Sequence, residues 1–358
     1  MVVNAAQYQR PELITQSTRV SVVGVGIEAN RIVSDIFKES GDAAQCVVLS
    51  THQDDFQGVY AHEMILTEPE AASHREMHGK SSCDDHAFHS CAKSVTPILA
   101  GADVTFVIAK MGEGDQVSLS STVSEIARRV GATVIGIAIL PISLETELRI
   151  KASQELAKMR NSCNTLTIVD PGRTSRLATY PPNEFGEYPT RMITDFVSGL
   201  VQTLACPTLM NIDIVAFREL MTHGGIAHLG ITHSSSALRA EEATIGALRS
   251  PLLYDDIRRT RGAVVNLRCD SSLRIDEAEM VGELVSERVG WSTPVIVGAH
   301  VDESWDDGLQ VAVMTTGGTY PYIPGGYRRL PLAMYEMEPV TEEEPSRIEL
   351  DLDQLEES

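Results

Sequence analysis

The feature that most narrows the fold is a series of short, almost wholly apolar runs. They are "RVSVVGVG" (19–26), "AQCVVLST" (44–51), "DVTFVIAK" (103–110), "ATVIGIAIL" (132–140) and "NTLTIVD" (164–170), separated by segments with helical periodicity such as "IEANRIVSDIFKES" (27–40). A strand without polar alternation is apolar on both faces, so both faces have to be covered. Strand and helix alternating in this way give parallel strands with crossover helices, and the fold class expected is α/β with a doubly wound parallel sheet.

The rhythm changes after "EYPTRMITDFVSGLVQTL" (187–204), whose apolar stripe predicts one longer helix, closed off by Pro207. Beyond it, helices are expected in "DIVAFRELMTHGG", "LRAEEATIGALRS" and "IDEAEMVGELVSERV", and strands in "GAVVNLRCD", "TPVIVGAHVD" and "LQVAVMTTGG". The organisation read from this is a polar leader (1–17), a Rossmann-type domain (18–186), a central linking helix (187–206), an α+β domain (207–320) and an acidic tail (321–358). That tail is expected to be largely disordered, with the alternating Ile348, Leu350 and Leu352 as a segment that orders on a partner.

Charge narrows the partners. Fifty acidic residues against 29 basic ones give a net charge of −21, which argues against nucleic acid and anionic membrane surfaces. Only six of the basic residues are lysine, a balance expected of a surface adapted to concentrated salt. The six cysteines are scattered, no signal peptide is recognisable, and no apolar run reaches the ~20 residues of a membrane helix. Disulfides and membrane insertion are not expected.

Two stretches invite a chemical reading. In "KMGEGDQVS" (110–118) an apolar strand runs into a glycine-containing turn, with a helix expected over 120–130 behind the hydroxyls of Ser120 and Ser121 as caps. Strand, glycine turn and helix N-terminus together make a phosphate cradle, because free amides and the helix dipole converge there. Yet the turn carries Glu113 and Asp115. The second stretch, "SHREMHGKSSCDDHAFHSC", holds Cys83, His86 and His89, with both histidines on one face of a helix starting near Asp84 and Asp85. This is a feasible three-ligand zinc set, but the paired C-x-x-C elements that would make zinc binding expected are absent, and solvated histidines are the competing reading.

Several ordered motifs, "LMNIDIVAFRELMTHGGIAHLGI", "LRAEEATIGALRSPLL", "GAVVNLRCDSSLRIDEAEMVGELV" and "VIVGAHVDES", together resemble the FtsZ branch of the tubulin superfamily, specifically its archaeal members, over roughly 20–318. The resemblance implies the tubulin/FtsZ fold, with GTP at the C-terminal edge of the first domain's sheet and subunits stacked head to tail. It also implies a cytoplasmic protein working at the division site or cell cortex. Carried over by position, the first loop keeps Gly24 and Gly26 but places Ile27, Glu28, Ala29 and Asn30 where the family has small residues. The tubulin signature keeps Gly112 and Gly114 around the inserted acids. A further glycine loop is replaced by His74 to Ser81, and Arg191 falls where an acid reads guanine. Glu145 and Arg149 remain at ribose- and phosphate-contacting positions.

In the loop that the resemblance makes hydrolytic, Asn211 and Asp213 are kept, while Ala216 replaces the second aspartate, which orients the attacking water in that family. For Asn211 and Asp213 a plain helix-start role competes. The reading is therefore a pseudo-GTPase of the cytoskeleton, with a degenerate GTP site and without a resident cofactor, that binds, caps or regulates filaments of an active paralogue. The alternatives are a self-polymerising FtsZ-like GTPase that does bind GTP or GDP, and a metal-binding module built on the His/Cys stretch.

Overall fold

In the computed structural model the described residues are 18–67, 83–112, 115–141, 146–174, 188–250, 260–305 and 308–318. Each apolar run becomes a buried strand: β1 (Val20–Val25), β2 (Ala44–Ser50), β4 (Val104–Lys110), β5 (Thr133–Ile139) and β6 (Thr165–Val169). A short strand β3 (Glu63–Leu66), not anticipated from the sequence, pairs with β2 at the sheet's edge. It is largely exposed, and its apolar run, Met64 to Leu66, is only three residues long.

The crossover helices are α1 (Ile27–Ser40), α2 (Cys83–Leu99), α3 (Asp115–Arg129) and α4 (Thr146–Ser162), followed by a single turn α5 (Pro171–Thr174) and the linking helix α6 (Tyr188–Ala205). The second half contributes α7 (Ile214–Thr222), β7 (Gly225–Ser234), α8 (Arg239–Leu248), β8 (Gly262–Cys269), α9 (Ile275–Val289), β9 (Val295–Val301) and β10 (Leu309–Gly318). All ten strands form one sheet in the order β3-β2-β1-β4-β5-β6-β7-β10-β8-β9. The pairs from β3 to β7 are parallel; β10 runs antiparallel to β7 and β8, and β9 is parallel to β8.

The sheet is covered on both sides, as its apolar strands require. One core gathers Ile32, Ile36, Phe196, Leu200 and Phe217 from α1, α6 and α7, and the other gathers Val95, Val123, Ile126 and Leu156 from α2, α3 and α4. A third packs α8 and α9 on β8 and β10. Cys46, Cys91, Cys163 and Cys269 are buried free thiols. No helix among the described residues is long and apolar enough to cross a membrane.

One expectation is corrected. Helix α3 starts at Asp115, so Ser120 and Ser121 are not caps: both are buried inside the helix, where the Ser120 carbonyl accepts from Ser124 Oγ at 2.8 Å.

Packing in the second half is close enough to demand glycine. A Cβ on Gly230 of β7 would sit 2.0 Å from the Ala247 carbonyl oxygen at the end of α8. Backbone cannot yield as a side chain does, so Gly230→Ala is expected to lower unfolding free energy by roughly 1–3 kcal/mol. An unshifted denaturant midpoint would show that α8 is not seated this closely.

Candidate functional site

The C-terminal ends of β4 and β5, one side of α1 and the first turns of α6 surround a cavity of about 1130 Å³. Just before Glu28, the first residue of α1 to line it, β1 gives way to α1. Gly24 is required because a Cβ there would lie 2.8 Å from the Ala29 carbonyl oxygen, and Gly26 because its φ is 87°. Gly26 donates its amide to the Leu49 carbonyl (3.0 Å) and caps α1 without any side-chain hydrogen bond, so the first amides of that helix have no side-chain cap.

Of the four residues that follow, Ala29 and Asn30 are fully buried. The Asn30 amide group donates to the Leu49 carbonyl at 3.1 Å. They face the core, which leaves Ile27 and Glu28 at the mouth. Glu28 forms an ion pair with Lys110 at the end of β4, so the repulsion expected of this carboxylate toward an anion is offset by a cation at the same spot.

A residue passed over in the sequence occupies the signature turn. Glu155 of α4, only 5% exposed, accepts the backbone N–H of Gly112 through Oε2. Ala152, Leu156 and Met159 share its buried face. A carboxylate on that apolar face was the available signal. Its effect on the turn is direct, because the Gly112 amide is already engaged by a side chain of the protein itself.

At the other end of the cavity α6 begins. Arg191, 73% exposed, stands 3.9 Å from Asp195 one turn further on. Asp195 also accepts from Gln310 Nε2 (3.2 Å) and lies 3.9 Å from Arg268 of β8, tying the linking helix to the second half of the chain. The Arg268 guanidinium donates to Asp302 Oδ2 at 3.0 and 2.6 Å and stacks 4.4 Å from the Trp305 ring. Burial pushes the Asp195 carboxyl above the usual carboxylate range, against Arg191 and Arg268, which pull it down. Burial also raises Glu39, against the nearby Ser198 hydroxyl and the Arg268 cation, which pull it down. Among the described residues, Arg31, Lys38, Lys110, Arg191 and Arg268 line the cavity together with Glu28, Asp35, Glu39 and Asp195.

Asn211 and Asp213 lie apart from this cavity, after α6. Asn211 donates to the Cys206 carbonyl (2.6 Å) and accepts from the Thr208 amide (3.3 Å), fixing the loop. Asp213 is the N-cap of α7, accepting from Val215 and Ala216 amides at 2.7 and 3.2 Å. Ala216 is exposed beside it. Leu209, Met210 and Val215 flank the loop as exposed apolar side chains.

Other expected site residues are placed only in part. Glu113, Gly114, Glu145 and His74 to Ser81 lie outside the described residues, as does the tail with Ile348, Leu350 and Leu352. Asp115 starts α3, Arg149 falls on α4, and Cys83, His86 and His89 fall on α2, but their side chains are outside the described set. Among the described residues no group of three or more His, Cys, Asp or Glu is placed to hold a metal ion.

A parallel sheet ending in a glycine-turned cavity, a long linking helix and a mixed second half together define the two-domain α/β fold of tubulin and FtsZ. The C-terminal domain of the FtsZ family matches residues 225–319. Cell division protein FtsZ 1 of Thermococcus kodakarensis is 28% identical, covering 98% of this chain and 96% of its own length. Cell division protein FtsZ 2 of Halobacterium salinarum is 27% identical, covering 84% and 76%. The empty FtsZ dimer of M. jannaschii superposes with a TM-score of 0.75 at 25% identity over 85% of this chain and 90% of that one. CetZ2 of Haloferax volcanii, a GTPgS-bound protofilament, shares the fold with a TM-score of 0.64 at 19% identity over 84% and 93%. In fold the chain is a two-domain protein of the FtsZ/tubulin type, and its residues 225–319 match the FtsZ C-terminal domain.

Proposed function

We propose that this chain is an FtsZ-like cytoskeletal protein of cell division that works as a non-hydrolysing subunit, docking on filaments of an active paralogue or of its own kind. The observation that carries the reading is the Glu155 carboxylate on the Gly112 amide, at the turn where a nucleotide-binding relative would receive phosphate. A phosphate group arriving there meets a carboxylate instead of a free donor. Ala216 supports the same conclusion from the opposite end of the subunit, since a methyl group has no means of orienting water. The exposed Leu209, Met210 and Val215 around Asp213 supply an apolar docking face. Relatives solved as a dimer and as a protofilament support association of this kind.

A second reading, a self-polymerising GTPase, draws on the α1 N-terminus that lacks a side-chain cap and on Lys110, which together keep some of the character of an anion site. Nucleotide content separates the two. Protein purified in concentrated KCl, heat-extracted and chromatographed, is expected to release no stoichiometric guanine nucleotide. GDP or GTP near one per chain would overturn the non-hydrolysing reading in favour of the GTPase.

A further inference from the structure

On the sheet edge opposite the cavity, basic side chains gather in a chain that is otherwise strongly acidic. The last turns of α3 and α4 enclose a groove of about 610 Å³ lined by Arg128, Arg129 and Lys158 against Glu125 as the acidic member. Arg129 pairs with Glu125 at 2.5 Å, and Arg128 closes the end of α4 by donating to the Asn161 carbonyl at 3.1 Å while keeping its charge. Ser121 lies in the groove wall, 3% exposed, with a hydroxyl that has no hydrogen-bond partner.

The chain itself leaves the sheet close by. Gly318, the last residue of β10, is in register with Ile226. A Cβ on the neighbouring Gly225 would lie 3.6 Å from Arg160, the residue next to the groove's Asn161, and one on Gly317 would touch Arg261. From this exit the sequence continues through residues 319–358, and 338–358 carries nine Asp and Glu against the single Arg347. Twenty residues of extended chain reach ~65 Å, ample for the next helix pair.

We infer that the acidic segment 338–358 docks back on the groove between α3 and α4 of its own chain, its carboxylates facing Arg128, Arg129 and Lys158. Charge complementarity and the position of the exit together select this occupant. The inference does not depend on whether the cavity at the opposite edge holds nucleotide.

The test uses the full chain at the lowest KCl concentration that leaves its far-UV spectrum unchanged, because a Debye length of only ~3 Å at 1 M would mask the contact. Zero-length carbodiimide coupling is expected to join the Lys158 amine to carboxylates of 338–358 within one chain. Trypsin cleavage after Arg347, measured against cleavage after Arg329 in the same molecule, is expected to accelerate about fivefold in Arg129→Ser/Lys158→Ser, the scale of two exposed ion pairs. Arg129→Lys is expected to keep the protection. Coupling found only between chains would overturn docking in cis, and so would an unchanged cleavage ratio in the double variant.

Discussion

Replacing Glu155 by glutamine is expected to raise the affinity for GTP by about two orders of magnitude. The amide oxygen of glutamine still accepts the Gly112 N–H, so the turn and the packing of α4 on the sheet are retained, while the carboxylate charge is removed. A unit charge ~5 Å from a phosphate oxygen opposes it by about 3 kcal/mol at an effective dielectric near 20, which corresponds to a factor of roughly 100. Because Glu155 is buried, concentrated salt screens it far less than it screens a surface acid. Isothermal titration of wild type and variant at the same KCl concentration measures the difference. Equal heats from two equally stable proteins would show that the obstacle lies elsewhere in the loops. The variant also separates charge from shape: Ala29 and Asn30 point into the core, and Glu28 is paired with Lys110.

The fold was legible because its main signals are local. Strands β1, β2, β4, β5 and β6 are apolar on both faces, and that pattern survives any context; so does the stripe of α6. Strand β3 was not legible, since a four-residue exposed edge strand owes its place to pairing with β2 and not to its own sequence. The joining of β6 to β7, which makes one sheet of both halves, is likewise a long-range contact. At the site, the glycines were legible as turn residues, and the roles of Gly24 and Gly26 follow from contact and φ. The partners of the carboxylates were not. Glu28 with Lys110 and Glu155 with Gly112 are meetings across 82 and 43 residues, which no spacing rule encodes. Asp213 behaves as its neighbours dictate, since an N-cap is a local device.

Acidification should release the linking helix from the second half of the chain, through His300. This residue of β9 is 7% exposed, with Nδ1 unpartnered, and packs where Asn266 donates to the Gly199 carbonyl and to Thr203 Oγ1 of α6, both at 3.0 Å. A Cβ on Gly199 would come within 3.4 Å of its ring. Burial first, and the Arg268 cation second, hold its pKa down to about 4, with Asp302 and a hydrogen bond to Leu267 opposing them. The folded value is below the unfolded one, so the unfolded chain binds more protons in the window between them. Stability from the neutral ring is complete above about 6.5 and is lost as pH falls toward about 4. A gap of this size corresponds to about 3 kcal/mol. Asp195 and Glu39, whose pKa values are raised, act in the opposite sense by stabilising the fold as pH falls, so the wild-type profile is a sum. The histidine contribution is isolated by comparison with His300→Gln, which cannot titrate. Denaturant midpoints of the two proteins are expected to converge as pH is lowered from neutrality. A constant difference across that range would mean that His300 is already protonated in the folded chain or that burial does not govern it.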